Sequence, residues 1–277
     1  MTKLRSPSSP FGDKGDHMGE IFGIDVSHYQ KKIDWQAVAN AGKQFAIMKC
    51  QYESLPHRKD ETFEYNYEMA GKYGIARGVY IFIGTASMAD MEGDAKALLK
   101  HLNGRRLEYG IWIDLEAEAV RLKGRAFIRG LVKIYSKIFQ AAGYYVGIYC
   151  NRDWYINYIH DDLKVTFDFW IARYPRNDNG DYNAFSTLKP SDKMAVAWQY
   201  SSKGKVPGIT VPVDLDVDYD GIIHLTDPER KTYFQIAEEV IRGEWGTRET
   251  NPTRRELLTA AGYDYEKVQY IINHMEL

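Results

Sequence analysis

Eight apolar runs, most followed by a stretch of helical periodicity, constrain this chain more than any other feature. The runs are IFGIDV (21–26), FAIMKCQY (45–52), ARGVYIFIG (76–84), GIWIDLE (110–116), YVGIYC (145–150), FDFWIARY (167–174), MAVAWQYS (194–201) and VPVDLDV (211–217). Short apolar runs of this length read as strands, whereas apolar residues recurring every three or four positions read as helices. Five helical stretches lie between the runs: IDWQAVANAG, DETFEYNYEMAGKYG, MADMEGDAKALLKHLNG, AFIRGLVKIYSKIFQAAG and NRDWYINYI. In the first, Asp34 is placed to cap the N-terminus and Gly42 to close the C-terminus. Strand–helix alternation predicts a parallel sheet. Eight strands within roughly 205 residues predict an α/β fold, a modified β/α barrel of about eight strands and five helices whose last helices are short or missing. An open doubly wound sheet competes with this reading, but no glycine-rich phosphate loop follows any strand.

The segment HLTDPERK (224–231) is a polar, proline-containing break. Beyond it, TYFQIAEEVIRGEWG, TRRELLTAAG and YDYEKVQYIINHM predict three short helices. A module so small has a thin core and suits binding better than catalysis. The expected organisation is a lead-in over 1–19, a catalytic barrel over 20–225, a linker over 226–231 and a three-helix module over 232–277. The lead-in is rich in Pro, Ser, Gly and Asp and has no apolar core of the kind a signal peptide needs, so it is expected to be disordered.

Charge narrows the function classes. Lys and Arg number 36 against 38 Asp and Glu, and no long basic block appears, which argues against nucleic acid as a partner. No apolar run reaches the ~18 residues that span a bilayer. The two cysteines, Cys50 and Cys150, each end an apolar run and read as buried free thiols rather than a disulfide framework. Tyr and Trp are abundant, which suits stacking on a neutral ligand such as a sugar.

The stretch IWIDLEAE (111–118) ends in two acids two residues apart. Residues so spaced on a strand share a face, so Asp114 and Glu116 repel each other there at a desolvation cost. In a β/α barrel, chemistry sits at the C-terminal strand ends. Asp25 closes the first strand, Asp114 and Glu116 close the fourth, and Asp214 lies in the eighth, so the fold gathers four carboxylates at one rim. Two carboxylates at a sugar-sized cleft are the equipment of glycoside hydrolysis, one staying protonated for the leaving oxygen and one staying ionised. Glu116 has the longer arm and lies nearest the rim, which assigns it as general acid; the ionised role falls to Asp114 or Asp214. Tyr80, Phe82, Tyr149, Trp170, Tyr174, Trp198 and Tyr200 lie near strand ends as candidates for the sugar platform, about half of them expected to touch ligand.

Two rival features are weaker. DVDYDGIIHLTD (216–227) nearly matches an EF-hand loop, with Asp216, Asp218 and Asp220 at its acid positions, but Asp227 stands where a bidentate Glu is needed. Asp218 and Asp220 are therefore expected on a solvated turn. The seven histidines show no metal-ligand spacing, so neither metal nor cofactor is expected, and His28 is expected to be a hydrogen-bonded structural residue.

Together GIDVSHYQ…IDW, IWIDLE, FWIARY, VAWQYSSKGKVPGI and VDLDVDYDG resemble the glycoside hydrolase family 25 lysozymes over about residues 21–223. The resemblance implies an N-acetylmuramidase that cleaves the β-1,4 bond from N-acetylmuramic acid to N-acetylglucosamine in peptidoglycan. It places the family's DxE motif on Asp114 and Glu116, with the Glu as proton donor, its N-terminal Asp on Asp25 and its late Asp on Asp214. A carboxylate nucleophile and the substrate's own N-acetyl group both remain open as stabilisers of the developing cation. The chain departs from the family pattern at Ile81, where a His is usual, at Asp216, where an Asn is usual, and in KCQYES (49–54), where a KATEG-like run is usual. The tail, with its AAGYDYxxVQ core at 260–269, resembles the CW_7 cell-wall-binding repeat, which implies muropeptide binding through Trp245, Arg254, Tyr263 and Tyr265. A lysozyme barrel with a wall-binding tail resembles a bacteriophage endolysin, which implies residence in the host cytoplasm and holin-dependent release; a prophage or bacterial autolysin is the alternative origin. A non-catalytic wall-binding protein on a decayed barrel and a chitinase-like enzyme are the alternatives.

Overall fold

The computed structural model describes residues 19–52, 57–84, 88–191, 194–219, 222, 231 and 233–274. Eight strands close into a barrel in sequence order: β1 (Ile21–Val26), β2 (Phe45–Lys49), β3 (Ala76–Phe82), β4 (Ile111–Asp114), β5 (Val146–Asn151), β6 (Phe169–Ala172), β7 (Ala197–Gly204) and β8 (Val213–Asp218). Helices α1 (Trp35–Asn40), α2 (Phe63–Lys72), α3 (Met88–Leu102), α4 (Glu118–Arg121), α5 (Gly124–Ala141), α6 (Arg152–Asn157) and α7 (Asp161–Thr166) cross between the earlier strands. Asp34 caps α1 by accepting from the amides of Gln36 and Ala37, and Gly42 takes a positive φ of 80° just past its end. Cys50 and Cys150 are buried free thiols.

One expectation needs correction: the sheet is not wholly parallel. β1 through β7 run parallel, but β8 is antiparallel to both of its neighbours, β7 and β1. The cause is the connection. Only residues 205–212 join β7 to β8, too few for the helical crossover that a parallel return needs. Gly208 makes the turn possible. Its φ is +92°, and a Cβ there would stand 2.4 Å from the Asp34 carbonyl oxygen. The Gly208 carbonyl accepts from the Asp34 amide at 2.9 Å, which ties the turn to the cap of α1.

Two layers of core follow from strand alternation. One set of side chains faces outward against the helices, including Ile24, Val79, Ile113, Ile148 and Ile171. The other fills the barrel: Phe45, Ile47, Tyr109, Trp112, Tyr149 and Trp170. Phe45 and Tyr109 stack with centroids 4.3 Å apart and planes 11° apart, a pair worth about 0.5–1.5 kcal/mol beyond the area it buries. Asp218 belongs to this interior. Contrary to the solvated turn expected for it, it is fully buried, and it accepts from the Tyr109 hydroxyl and the Ile222 amide, each at 2.9 Å. Most of the EF-hand-like stretch beyond it, including Asp220, lies outside the described residues, as do most of the expected linker and lead-in.

The C-terminal module folds as α8 (Tyr233–Ile241), α9 (Arg254–Ala260) and α10 (Tyr265–His274) around Ile236, Val240, Leu258, Tyr263, Val268 and Ile271. Thr253 and Glu256 form a capping box at the start of α9. The module rests on the barrel through Lys267, whose ammonium lies 2.9 Å from Asp168 and over the ring of Tyr233. Asp168 also accepts from the Tyr145 hydroxyl at 2.7 Å. Asp168 immediately precedes β6, so this anchor is at the N-terminal end of the barrel, away from the C-terminal strand ends. Among the described residues, no helix is long and apolar enough to cross a membrane.

Candidate active site

The C-terminal ends of β1 to β7 surround an open cleft of about 410 Å³. Its acidic lining is Asp25, Asp114, Glu116 and Asp214, so the fold brings all four candidate carboxylates together. The reversal of β8 explains how Asp214 arrives. It is the second residue of its strand, and an antiparallel strand begins where its parallel neighbours end. In the ladder Asp25 faces Asp214 directly.

Electrostatics separate the four acids. Asp25 is almost fully buried; desolvation, then the charges of Asp214, Asp216 and Asp114, raise its pKa well above the carboxylate range, against a lowering hydrogen bond from Gln199. Desolvation, then the negative charge of Glu116, raise Asp214 to about 6. Glu116 stands at the mouth of the cleft. The protein crowding it raises its pKa, and the ammonium of Lys49 pulls it back down. A carboxyl whose pKa is raised in this way keeps its proton to higher pH, which general acid catalysis needs.

The walls are aromatic. Tyr80, Phe82, Tyr149, Trp170 and Tyr174 line the cleft. Trp198 and Tyr200 do not, although sequence placed them with the others. On β7 the residue between them, Gln199, faces inward, so strand alternation turns both rings outward. There Trp198 donates its indole N–H to the Arg173 carbonyl at 2.9 Å and both rings are buried against the outer core. Three cleft residues escaped sequence reading: Gln199, Lys49 and Tyr29. The WQY stretch carried the signal for Gln199, a polar residue between two buried aromatics. Its amide is a junction. The carboxamide oxygen accepts from the Tyr149 hydroxyl at 2.8 Å and from the Tyr174 hydroxyl, and the N–H donates to Asp25 at 2.6 Å. Tyr29 is 72% exposed at the rim and packs on His28 with centroids 4.2 Å apart. His28 is tied to Asp60 at 2.9 Å, consistent with a structural role.

In the module, a groove of about 440 Å³ is lined by Arg248, Thr253, Arg255, Tyr265, Glu266 and Gln269. Of the four residues expected to bind ligand, Tyr265 lines this groove and the other three do not. Trp245 donates to Glu239 at 2.9 Å, Arg254 donates to the Gly246 carbonyl at 2.8 Å, and Tyr263 donates to the Lys231 carbonyl at 2.9 Å while packing in the module core.

Residues 24–209 match Glycosyl hydrolases family 25. The chain belongs to that family. As a family 25 member it is a glycoside hydrolase of the lysozyme type. Residues 235–275 match the CW_7 repeat. The chain is 29% identical over 220 residues to Lysozyme M1 of Streptomyces globisporus, covering 70% of this chain and 66% of that protein. It is 28% identical over 207 residues to the uncharacterized protein YegX of Escherichia coli, covering 71% and 69%. Among solved structures, the catalytic domain of endolysin ply40 from bacteriophage P40 of Listeria monocytogenes superposes with a TM-score of 0.61 at 22% identity, covering 76% of this chain and 98% of that domain. The family 25 match thus takes in the cleft residues from Asp25 to Gln199 and stops short of Asp214, and the repeat covers most of the module.

Proposed function

We propose that this family 25 enzyme is an N-acetylmuramidase that hydrolyses the β-1,4 bond between N-acetylmuramic acid and N-acetylglucosamine in peptidoglycan. The observation that carries the reading is the convergence of Asp25, Asp114, Glu116 and Asp214 on one open, aromatic-walled cleft in a chain that also bears a cell-wall repeat. In this reading Glu116 gives its proton to the glycosidic oxygen as the bond lengthens. Asp114 or Asp214, ionised, or the substrate's own N-acetyl group stabilises the positive charge developing at the anomeric carbon. Tyr80, Phe82 and Tyr174 stack on the sugar faces, and Lys49 moderates the pull on the Glu116 proton. A muropeptide occupies the module groove, where the Arg255 guanidinium lies 4.2 Å from the Tyr265 ring centroid and forms an ion pair with Glu266.

The physiological setting we propose is lysis of a bacterial host by a phage, with the enzyme held in the host cytoplasm until a holin releases it. Likeness to the P40 endolysin domain and the pairing of hydrolase with wall-binding repeat support this setting.

Digestion of purified peptidoglycan and of chitin by wild type and Glu116→Gln tests the activity. The proposal expects wild type to solubilise peptidoglycan and leave chitin intact, and Glu116→Gln to bind walls without cutting them. Preferential release of sugar from chitin, or equal cleavage by the Gln variant, contradicts it.

A further inference from the structure

Below the catalytic rim sits an acid for which the cleavage reaction has no stated use. Asp216 follows Asp214 by two residues on β8 and so points into the same barrel interior. It has no exposed surface. One of its oxygens accepts from the Trp170 indole N–H at 2.9 Å. The other, Oδ2, is equally buried and meets no donor among the described residues. A buried carboxylate oxygen without a donor is strongly destabilising, so a fold that keeps one must supply a proton from somewhere.

The ladder identifies the source. Asp216 lies opposite Gly23 on β1, and Asp25 lies opposite Asp214. Asp25 and Asp216 are thus diagonal neighbours on the inward face, a spacing within reach of side chains, and nothing projects from Gly23 to separate them. Across that diagonal the Asp25 carboxyl is the acid placed to act on Asp216. One Asp25 oxygen, Oδ2, accepts from the Gln199 N–H at 2.6 Å. Two carboxylates in contact cannot both be ionised in a dry interior. The remaining groups around the pair do not supply the proton. Asp214 and Asp114 face Asp25 as acids, the hydroxyls of Tyr149 and Tyr174 are committed to Gln199, the Lys43 ammonium acts on Asp216 as a charge, and the Tyr80 and Tyr200 phenols lie within the field of the pair.

We propose that Asp25 and Asp216 share a single proton, the Asp25 carboxyl O–H donating to Asp216 Oδ2, so that Asp216 is a positioning residue that keeps Asp25 uncharged at the floor of the cleft. Burial, followed by the charge of Asp214, pushes Asp216 well above the carboxylate range as well, in keeping with a pair that gives up its second proton reluctantly. The consequence for catalysis rests on the glycosidase reading above. With Asp25 neutral, the anion that faces the sugar is supplied by Asp114 or Asp214, and Asp25 contributes a fixed dipole held by Gln199 on one side and Asp216 on the other.

The test is a carboxyl titration of full-length protein carrying [13C]aspartate, followed by NMR from acid to alkaline pH, for wild type, Asp216→Asn and Asp25→Asn. An asparagine at 216 still accepts from Trp170 and itself donates to Asp25, so the shared proton is no longer needed. The proposal expects wild type to hold one aspartic acid protonated past neutral pH, and each variant to lose that one high titration while retaining the wild-type circular dichroism. A purely structural role for Asp216 as the anchor of Trp170 leaves the number of high-titrating aspartates unchanged in Asp216→Asn, and that result overturns the proposal. Asp25→Asn supplies the same readout if Asp216→Asn fails to fold. Peptidoglycan cleavage is measured in parallel. Loss of the titration in a protein whose wild type cuts no wall leaves the proton pair standing and removes the muramidase reading.

Discussion

Asp25 on β1 and Asp214 on β8 are direct cross-strand partners in an antiparallel ladder, two acids from opposite ends of the barrel sequence held face to face at its rim. Two carboxyls directly opposite cannot both be ionised without destabilising the sheet, and desolvation adds to the cost. The pair is therefore a place where stability is given up for chemistry, and each consequence is measurable.

Asp214→Asn should stabilise the fold at neutral pH while destroying activity. The folded protein holds the Asp214 proton up to about pH 6, whereas an unfolded aspartate loses it near ~4. Between those values the folded state binds more protons, so the Asp214 contribution falls as pH rises through the window and is flat above it. Allowing for its partial exposure, the asparagine should gain roughly 2 kcal/mol at pH 7 and little at pH 4. Denaturant unfolding of both proteins at the two pH values checks this.

The proton on Glu116, held above the usual carboxylate range by burial and drawn down by the Lys49 ammonium, sets an alkaline limit on catalysis. Once that proton leaves, no general acid remains. kcat/KM on a soluble glycan fragment should therefore fall as pH rises through the raised Glu116 pKa. A rate that keeps rising into alkaline pH would show that Glu116 is not the acid.

Gln199→Ala should cost far more activity than Trp198→Phe. The first cut releases Tyr149, Tyr174 and Asp25 from their common partner, and small misplacements at a reacting centre cost on the order of 100-fold. The second changes a ring on the outer face of the barrel. Steady-state kinetics of the two variants, with circular dichroism to confirm folding, separates the roles.

Lys267→Met should loosen the module from the barrel. The Lys267–Asp168 pair is largely shielded, with side-chain exposures of 15% and 18%, and removing one partner of such a pair costs about 3 kcal/mol. Hydrogen exchange should accelerate along α10 and leave the cleft strands unchanged. Equal protection in both proteins would mean that the ion pair does not hold the interface.

The eight strands were legible because each is an apolar run of the right length, and the rim carboxylates because barrel strands deliver their ends to one face. The direction of β8 was not legible from alternation, since a short link and a long crossover leave the same periodicity within the strand. Reading 205–212 as too short for a helix would have revealed it. Alternation also leaves phase open. WQY fits with Trp198 and Tyr200 inward or with Gln199 inward, and the interior, already filled by Trp112, Trp170 and Tyr149, admits only the smaller residue. The same effect misplaced Asp218, because an acid-rich strand end looks like a solvated turn until Tyr109 is seen beneath it. In the module, Trp245, Arg254 and Tyr263 are conspicuous residue types, but the two rings pack on its small core and Arg254 is spent on the Gly246 carbonyl.

The central claim is that Glu116 delivers the proton that breaks a muramyl bond. The most direct measurement is to digest purified peptidoglycan with wild type and Glu116→Gln, reduce the products with borohydride, and identify the reduced sugar by mass spectrometry. The account predicts reduced N-acetylmuramic acid with wild type and none with Glu116→Gln. Reduced N-acetylglucosamine, or muramic ends from both proteins, would contradict it.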